Sequence, residues 1–214
     1  MDQQYYTTAR REVLPWLPQK VSRILDVGCG TGQTTRFIRE QHTLAWAGGI
    51  EYVDAVADQA LPYFDQLWRG DAALVPLETH ILPASLDVVL CLDVLEHMVD
   101  PWAFIQRVSP LIAHKGRLIL SVPNVRNFKF IMRLLLKGDF HYRDFGILDR
   151  THLRFFVRET AINMGTCGGL KLVQAQSVQQ WRFPDVRFLL KKITGAASDE
   201  LTAKQWLIVV EKNE

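Results

Sequence analysis

Cysteine is scarce in this chain of 214 residues, and Cys29, Cys91 and Cys167 lie far apart in the sequence. None belongs to a C-x-x-C pair, so we expect reduced thiols in a cytoplasmic protein. Charge of one sign is also lacking, because the formal net charge is only +2. So small a net charge gives no reason to expect nucleic acid as a partner, and we predict none. The composition therefore excludes disulfide-rich and strongly basic classes of protein.

Long hydrophobic runs are absent too. No apolar stretch approaches the roughly 18 residues that span a bilayer, and the polar segment 1–11 does not have the pattern of a signal peptide. We find no internal repeat and no low-complexity segment. Apolar residues make up 48% of the chain and charged residues 22%, as in an ordinary globular protein. The length predicts a single domain covering residues 1–214.

Short apolar runs alternate with helical patterns along the chain. Strands are predicted at 22–27, 44–50, 66–70, 86–92, 116–122, 170–177 and 205–212. Helices are predicted at 7–15, 33–41, 53–61, 101–112, 127–137, 158–166 and 186–194. The fourth helix has clear end signals, with Asp100 and Pro101 at its start and Lys115 and Gly116 after it. Five strand–helix alternations predict an α/β fold with a mostly parallel sheet and helices on both faces.

Two stretches interrupt this alternation, at about 123–151 and 181–199. Each contains an amphipathic helix whose lysines and arginines lie beside its apolar face. We expect each helix to pack its apolar side on the domain and to leave a basic face in water. The alternative is an acceptor-side lid that touches anionic lipid or a lipid-linked acceptor. Peripheral membrane contact therefore stays open.

The strand at 22–27 leads directly into a glycine-rich turn. Gly28, Gly30 and Gly32 stand at alternate positions before a helix, and Asp26 precedes them. Glycine lets a backbone approach a ligand closely, and the free N–H groups at a helix start bind acceptors. Dinucleotide-binding turns read G-x-G-x-x-G, whereas this turn reads G-x-G-x-G. The spacing points away from NAD and toward another adenosine-containing cofactor.

Acidic residues follow the next strands of the predicted sheet. Glu51 ends the second strand, and Asp71 follows the third. Asp93 comes directly after the fourth strand and opens the sequence Asp93-Val94-Leu95-Glu96-His97. Ligands of open α/β sheets bind outside the carboxyl ends of the strands. We therefore expect these acids to line one ligand site.

Together these motifs resemble the class I S-adenosylmethionine-dependent methyltransferases. The resemblance implies a Rossmann-like seven-stranded sheet whose last strand lies antiparallel between strands five and six. It implies S-adenosylmethionine as the cofactor and S-adenosylhomocysteine as its product. The implied cofactor-binding residues are Asp26, Gly28, Cys29, Gly30, Gly32, Glu51, Asp71, Ala72 and Leu92. The N-terminal segment adds Arg10 for the methionine carboxylate and Tyr6 as a wall of the site.

Within that family, the segments 122–127 and 148–156 are similar to those of bacterial methyltransferases of cell-surface sugar and secondary-metabolite pathways. A Thr-His pair like Thr151-His152 occurs in ubiquinone-biosynthesis O-methyltransferases. The resemblance implies methyl transfer to an oxygen of a small molecule: a sugar, a phenol or a lipid-linked acceptor. The candidate catalytic residues are Asp93, Glu96, His97 and His152. A histidine pKa near about 6.5 suits His97 as the base.

Alternatives remain beside this prediction. Asp93, Glu96 and His97, with His152 or His141, are similar to the metal ligands of some 2′-O-methyltransferases that act on small RNA. Because the first position is Asp and no second His follows His97, we predict metal-free base catalysis and no metal site. A non-catalytic accessory protein that binds the cofactor or its product is a further reading. An NAD-dependent oxidoreductase is disfavoured by the glycine spacing and the seventh strand. The oligomeric state is left open.

Overall fold

A computed structural model describes residues 8–178 and 197–213, which form one seven-stranded sheet flanked by helices. The strands are β1 (Arg23–Val27), β2 (Trp46–Glu51), β3 (Gln66–Arg69), β4 (Leu86–Leu92), β5 (Ile112–Pro123), β6 (Lys171–Val178) and β7 (Gln205–Glu211). Their order in the sheet is β3-β2-β1-β4-β5-β7-β6. Neighbouring strands from β3 to β5 are parallel, and β7 runs antiparallel to both β5 and β6. The predicted fold class and the place of the last strand are confirmed.

Apolar side chains on both faces of the sheet hold the helices. In β1, Leu25 and Val27 belong to one core cluster, whereas Ile24 belongs to the other. In β4 the same division separates Val89 from Val88. A strand buried on both faces needs apolar residues at consecutive positions, which explains the unbroken hydrophobic run in β4. The carboxyl ends of the central strands are thereby held at one rigid edge.

Seven α-helices lie within the described residues. They are α1 (Gln33–Arg39), α2 (Asp54–Ala60), α3 (Leu77–His80), α4 (Pro101–Val108), α5 (Phe128–Lys137), α6 (Arg158–Gly165) and α7 (Ala197–Thr202). Short 3₁₀ turns occur at Arg11–Trp16, Leu61–Tyr63, Leu95–His97 and Ser109–Leu111. The sequence did not predict α3 or α7, both of which are short. The helix expected at 186–194 lies outside the described residues.

The predicted end of the fourth helix is wrong. Helix α4 begins as expected, since the Asp100 carboxylate accepts a hydrogen bond of 2.9 Å from the N–H of Ala103. It stops at Val108 because Pro110 has no N–H to continue the helical ladder, and a 3₁₀ turn follows. Strand β5 therefore starts at Ile112, and Lys115 adopts a left-handed φ of 60° inside an irregularity of that strand.

The N-terminal helix expected at 7–15 is also different. The described part is a 3₁₀ turn over Arg11–Trp16 that contains Pro15, which cannot donate an N–H within a longer α-helix. Of the second predicted insertion, only its C-terminal end is described, and it contains α7.

Helix α5 forms in the first insertion, close to its predicted bounds. The Asn127 side chain accepts a hydrogen bond of 3.2 Å from the N–H of Lys129, and Gly138 ends the helix in the left-handed conformation. On its apolar face Phe128, Ile131 and Met132 are half-buried, and none of its residues is fully buried. Leu135 and Leu136 are 73% and 71% exposed. In the part of the chain that the structure describes, we find no helix with the length and hydropathy of a membrane span.

Candidate active site

The glycine turn joins β1 to α1 and lies against the loop that follows β4. Gly28, Gly30 and Gly32 adopt φ values of 67°, 56° and 77°, which L side chains rarely adopt. A Cβ on Gly28 would lie 2.2 Å from Cγ2 of Val94. Gly28 and Gly32 are thus required by packing within the protein, and the turn directly contacts the Asp93–His97 segment.

Asp26 lies beneath this turn and is almost completely buried. Its carboxylate accepts a hydrogen bond of 2.7 Å from the hydroxyl of Thr35 in α1. Burial, with a smaller contribution from the charge of Glu51, raises the pKa of Asp26 to about 7. In this position Asp26 ties the end of β1 to α1, and its influence on a ligand would pass through the turn.

Glu51, at the end of β2, bonds to the turn directly. Its Oε2 accepts the N–H of Gly30 at 2.8 Å, and its Oε1 accepts the N–H of Val53 at 2.9 Å. A carboxylate has about four acceptor positions, so each oxygen retains one for another donor. This arrangement fits a pair of ribose hydroxyls, which donate hydrogen bonds.

The remaining residues of the predicted cofactor set lie at the same edge of the sheet. Asp71 follows β3 and is exposed, and its Oδ1 accepts the N–H of Ala73 at 2.8 Å. Ala72 and Cys29 are buried, and Leu92 is half-buried at the end of β4. Burial raises the pKa of the Cys29 thiol, so this side chain is neutral. Their placement agrees with the predicted site, and their contact with a cofactor stays a prediction.

Arg10 crosses from the N-terminal segment to the loop after β4. Its guanidinium forms ion pairs with Asp93 and Glu12. Its own N–H donates a hydrogen bond of 3.1 Å to the hydroxyl of Thr34 in α1. Arg10 is therefore already paired with carboxylates of the chain, rather than held free for a methionine carboxylate. Tyr6, the other residue expected from this segment, lies outside the described residues.

Asp93 is the most extensively bonded of the predicted catalytic residues. Besides Arg10, its carboxylate accepts hydrogen bonds of 2.9 Å each from the Ser121 hydroxyl and the Gln205 amide. It also adopts a left-handed φ of 58°. These donors occupy both oxygens of the Asp93 carboxylate and fix its position. The geometry gives Asp93 the role of an anchor for its loop.

Glu96, His97 and His152 come together next to this anchor. One ligand atom from each of the three lies within 4.8 Å of the other two. The imidazole rings of His97 and His152 meet edge to face with centroids 4.7 Å apart. Oε1 of Glu96 lies 4.0 Å from Nε2 of His152. Three of the four predicted catalytic side chains thus form one cluster beside the fourth, Asp93. His141, the other histidine considered as a metal ligand, is exposed and bonds to Asp139.

The electrostatics of the cluster follow from its burial. Glu96 is 1% exposed, and burial, together with the nearby charge of Asp93, raises its pKa well above the usual range. Burial, and then the neighbouring His152, lowers the pKa of His97. His97 is therefore neutral at physiological pH and has a lone pair to offer.

Backbone hydrogen bonds fix the two halves of the cluster against each other. The carbonyl of Glu96 accepts the N–H groups of Leu153 and Arg154 at 2.8 and 3.0 Å. The segment that carries His152 is also joined to the end of β5, where the N–H of Val125 donates to the carbonyl of Phe156 at 3.0 Å. Glu96 and His152, 56 positions apart in the sequence, are held together by main-chain geometry.

Several residues of the site were missed by the sequence analysis. Ser121 and Gln205 hold Asp93, while Asp149 and Thr151 orient His97 through hydrogen bonds. A signal existed for Ser121, which is a polar residue in the otherwise apolar end of β5. None existed for Gln205, because its place depends on the pairing of β7 with β5.

Comparisons with known proteins agree with this geometry. A family model described as a methyltransferase domain matches residues 1–188. The chain is similar to the ubiquinone biosynthesis O-methyltransferase of Xylella fastidiosa (strain 9a5c), with 27% identity over 166 residues that cover 72% of this chain and 66% of the relative. It is also similar to the protein of that name from Xanthomonas euvesicatoria, with 29% identity over 160 residues that cover 70% of this chain and 66% of the relative. The alignments thus span just under two thirds of these relatives.

Among solved structures, a methyltransferase from Archaeoglobus fulgidus that depends on S-adenosylmethionine superposes with a TM-score of 0.73. The match covers 99% of this chain and 95% of the other at 14% sequence identity. At such low sequence identity, the superposition shows a shared fold only. The methyl acceptor must be inferred from the site itself.

Proposed function

Because the chain belongs to the class I S-adenosylmethionine-dependent methyltransferases, we propose that it methylates an oxygen of a small-molecule acceptor. The observation that carries this proposal is the cluster of Glu96, His97 and His152, in which Glu96 stands two residues after Val94, whose side chain faces Gly28 of the turn. The cluster therefore stands beside the turn expected to hold the cofactor. The name of the similar relatives, which specifies O-methylation, supports the same choice.

The chain's own residues fit S-adenosylmethionine. The turn from Gly28 to Gly32 presents backbone without side chains, and Glu51 keeps acceptor positions suited to the ribose hydroxyls. Asp71 at the end of β3 would accept from the adenine amino group. Held there, the cofactor would supply a sulfonium methyl group for transfer to the acceptor oxygen, whose proton must be released as the new bond forms.

The protein must position the acceptor hydroxyl and help it lose its proton. Nδ1 of His97 is bonded to Thr151, and Nδ1 of His152 lies 3.1 Å from the carbonyl of Ile147. A carbonyl accepts only, so His152 carries its proton on Nδ1 and keeps a lone pair on Nε2. Both imidazoles thus keep a lone pair on Nε2 for the chemistry of the acceptor site.

The exposed face of α5 supports an acceptor with an apolar part. Leu134, Leu135 and Leu136 are exposed beside the basic residues Arg133 and Lys137. Aromatic rings extend this surface toward the cluster, through the contacts of Phe140 with Phe130, Tyr142 and Phe155. Exposed apolar side chains beside cations suit a phenolic or lipid-linked molecule. We infer that α5 and the aromatic surface form the acceptor-side lid.

The test measures formation of S-adenosylhomocysteine by the purified protein with catechols and phenols that carry or lack an alkyl chain. We expect turnover with oxygen acceptors and higher kcat/KM when the chain is present. His97→Ala and His152→Ala should each lower turnover about 10²–10⁴-fold and leave calorimetric affinity for S-adenosylhomocysteine within twofold. His114→Ala, on an exposed part of β5, is the matched control. Cofactor binding without turnover on oxygen or nitrogen acceptors would instead indicate an accessory protein.

A further inference from the structure

Glu96 is a buried carboxyl group without a hydrogen-bond partner. Its side chain is 1% exposed, and neither Oε1 nor Oε2 accepts or donates a hydrogen bond within the described parts of the chain. A buried polar group that is left without a hydrogen bond loses its hydration and gains nothing in return, which destabilises the fold. Such a cost at a site of function calls for a ligand that satisfies the group when it binds.

The two imidazoles are oriented so that their free nitrogens serve the same ligand. His152 donates from Nδ1 to the carbonyl of Ile147, which leaves the lone pair of Nε2 on the side of Glu96. The Thr151 hydroxyl lies 2.6 Å from Asp149 Oδ1, to which it donates, and 2.9 Å from Nδ1 of His97, from which it then accepts. His97 therefore also keeps its lone pair on Nε2. Metal-binding histidines are fixed in this way, by a bond from the other ring nitrogen to a carbonyl or a carboxylate-linked group.

The spacing of the three groups suits one small ion. Bonds of about 2.0–2.2 Å place two ligand atoms of one ion roughly 3–3.5 Å apart. Glu96 Oε1 and His152 Nε2 are 4.0 Å apart, and all three ligand atoms lie within 4.8 Å of one another. Small rotations of the three side chains would bring these atoms to the shorter separation expected around one ion. A direct hydrogen bond between Glu96 and His152 would need a separation near 2.6–3.2 Å, which the structure does not show.

We propose that Glu96, His97 and His152 bind one divalent transition-metal ion, with Asp149 and Thr151 orienting His97 around it. Two imidazoles and one carboxylate favour ions such as Mn²⁺, Co²⁺ or Zn²⁺ over Mg²⁺ and Ca²⁺, which prefer oxygen ligands alone. Three protein ligands leave coordination positions open. The site is thereby able to accept an oxygen from another molecule.

The metal site itself does not depend on the proposed function. Only the use of the ion in catalysis rests on that function. An acceptor hydroxyl bound to the ion has a lowered pKa, and its proton leaves to water as the oxygen becomes the nucleophile. The chemistry differs from the metal-free base predicted from the sequence. A lone base requires one oriented imidazole, whereas the structure places two, and it adds a buried carboxylate that no hydrogen bond satisfies.

Asp93 does not belong to the proposed ligand set. Its carboxylate is held by Arg10, Ser121 and Gln205. The three-ligand set therefore differs from the sequence alternative that began with Asp93, and His152, rather than His141, is the distant histidine.

The test is a titration of the full chain, freed of any polyhistidine tag and dialysed against EDTA, with Co²⁺ followed by visible absorption and with Zn²⁺ followed by calorimetry. We expect saturation at one ion per chain. Glu96→Gln and His152→Ala should each weaken binding by more than about 100-fold. Thr151→Val, which removes the hydroxyl that orients His97, should weaken it about 10–100-fold. His114→Ala should bind like the wild type.

Circular dichroism identifies any variant that fails to fold, and the more exposed His97→Ala then replaces it. The proposal is overturned if the folded wild type binds no ion, or if Glu96→Gln and His152→Ala bind as well as His114→Ala. Calorimetry with S-adenosylhomocysteine separates the two hypotheses. If the protein binds S-adenosylhomocysteine but no ion, the metal site alone is refuted. If it does not bind S-adenosylhomocysteine, the proposed function is refuted.

Discussion

Arg10 and Asp93 form an ion pair that joins the segment before β1 to the loop after β4. Both side chains are mostly buried, with 16% and 9% of their surface exposed. Removing one partner of a buried ion pair leaves the other without its opposite charge, even where hydrogen bonds to it remain. Arg10→Gln should therefore lower the free energy of unfolding by about 3–5 kcal/mol, as measured by urea denaturation.

The neighbouring arginine provides the control for that variant. Arg11 is exposed, and its guanidinium lies over the ring of Phe37 at 4.4 Å. Arg11→Gln should cost about 1 kcal/mol or less. Equal losses in the two variants would mean that the Arg10–Asp93 pair contributes nothing special to the fold.

Glu51→Ala should weaken binding of S-adenosylhomocysteine by about 1.5–3 kcal/mol, because hydrogen bonds to a charged acceptor are lost. That range is roughly a tenfold to hundredfold change in the dissociation constant. The variant should also lower the melting temperature, since the N–H groups of Gly30 and Val53 lose their acceptor. Asp54→Asn, three residues away and 81% exposed, should change neither quantity in calorimetry and thermal melts. Unchanged affinity in Glu51→Ala would remove Glu51 from the cofactor site.

Gly28→Ala should destabilise the protein for two separable reasons. The left-handed φ of 67° costs an L residue about 1–2 kcal/mol, and the new methyl group would overlap Val94. Val94→Ala in the same chain should recover the part due to overlap, and a double-mutant cycle measures it. Gly70→Ala is the control, because Gly70 has a φ of 101° but no atom near a Cβ. Additive effects of Gly28→Ala and Val94→Ala would contradict the contact.

Stability should fall as the pH rises from about 4 to 7. Burial raises the pKa of Asp26 from 3.8 to about 7, so the folded state binds a proton that the unfolded state has lost. The contribution of Asp26 to the free energy of unfolding is fully present below pH 3.8 and is lost as the pH rises through about 7. The loss is on the order of 4 kcal/mol. Asp26→Asn should flatten this slope in urea unfolding curves recorded across the range. An unchanged slope would show that Asp26 titrates normally.

Glu96 contributes to stability in the same direction, because burial raises its pKa as well. The slope in Asp26→Asn should therefore be reduced and not abolished. Hydrogen bonds from Arg133 and His141 lower the pKa of Asp139, so its titration lies below this window. Asp139→Asn is a suitable control, since it should leave the slope between pH 4 and 7 unchanged.

The sequence predicts the fold well because β1, β2 and β4 are short apolar runs that end in recognisable turns or acidic residues. Its errors have identifiable causes. Pro110 ends α4 early, and Pro15 keeps the first helix in a 3₁₀ conformation. These are local effects of proline that a hydrophobic pattern does not register.

The site was only partly predictable for a different reason. Asp93, Glu96 and His97 lie within five consecutive residues, so one motif revealed all three. Their different roles depend on distant partners. Arg10 and Gln205 reach Asp93 from distant parts of the sequence, whereas the Glu96 carboxyl group has no hydrogen-bond partner among the described residues. Tertiary contacts of this kind have no signature in a single sequence.

The antiparallel insertion of β7 gives the last strand a part in assembling the site. Because β7 begins where β5 ends, its first residue, Gln205, reaches Asp93 across 112 positions of sequence. A chain emerging from the ribosome thus has its glycine turn long before it has a complete catalytic loop. The catalytic loop is held in place only after folding has brought together residues 112 positions apart. Contacts between such distant residues form slowly. Ligand binding by the newly made chain would report that β7 has joined the sheet.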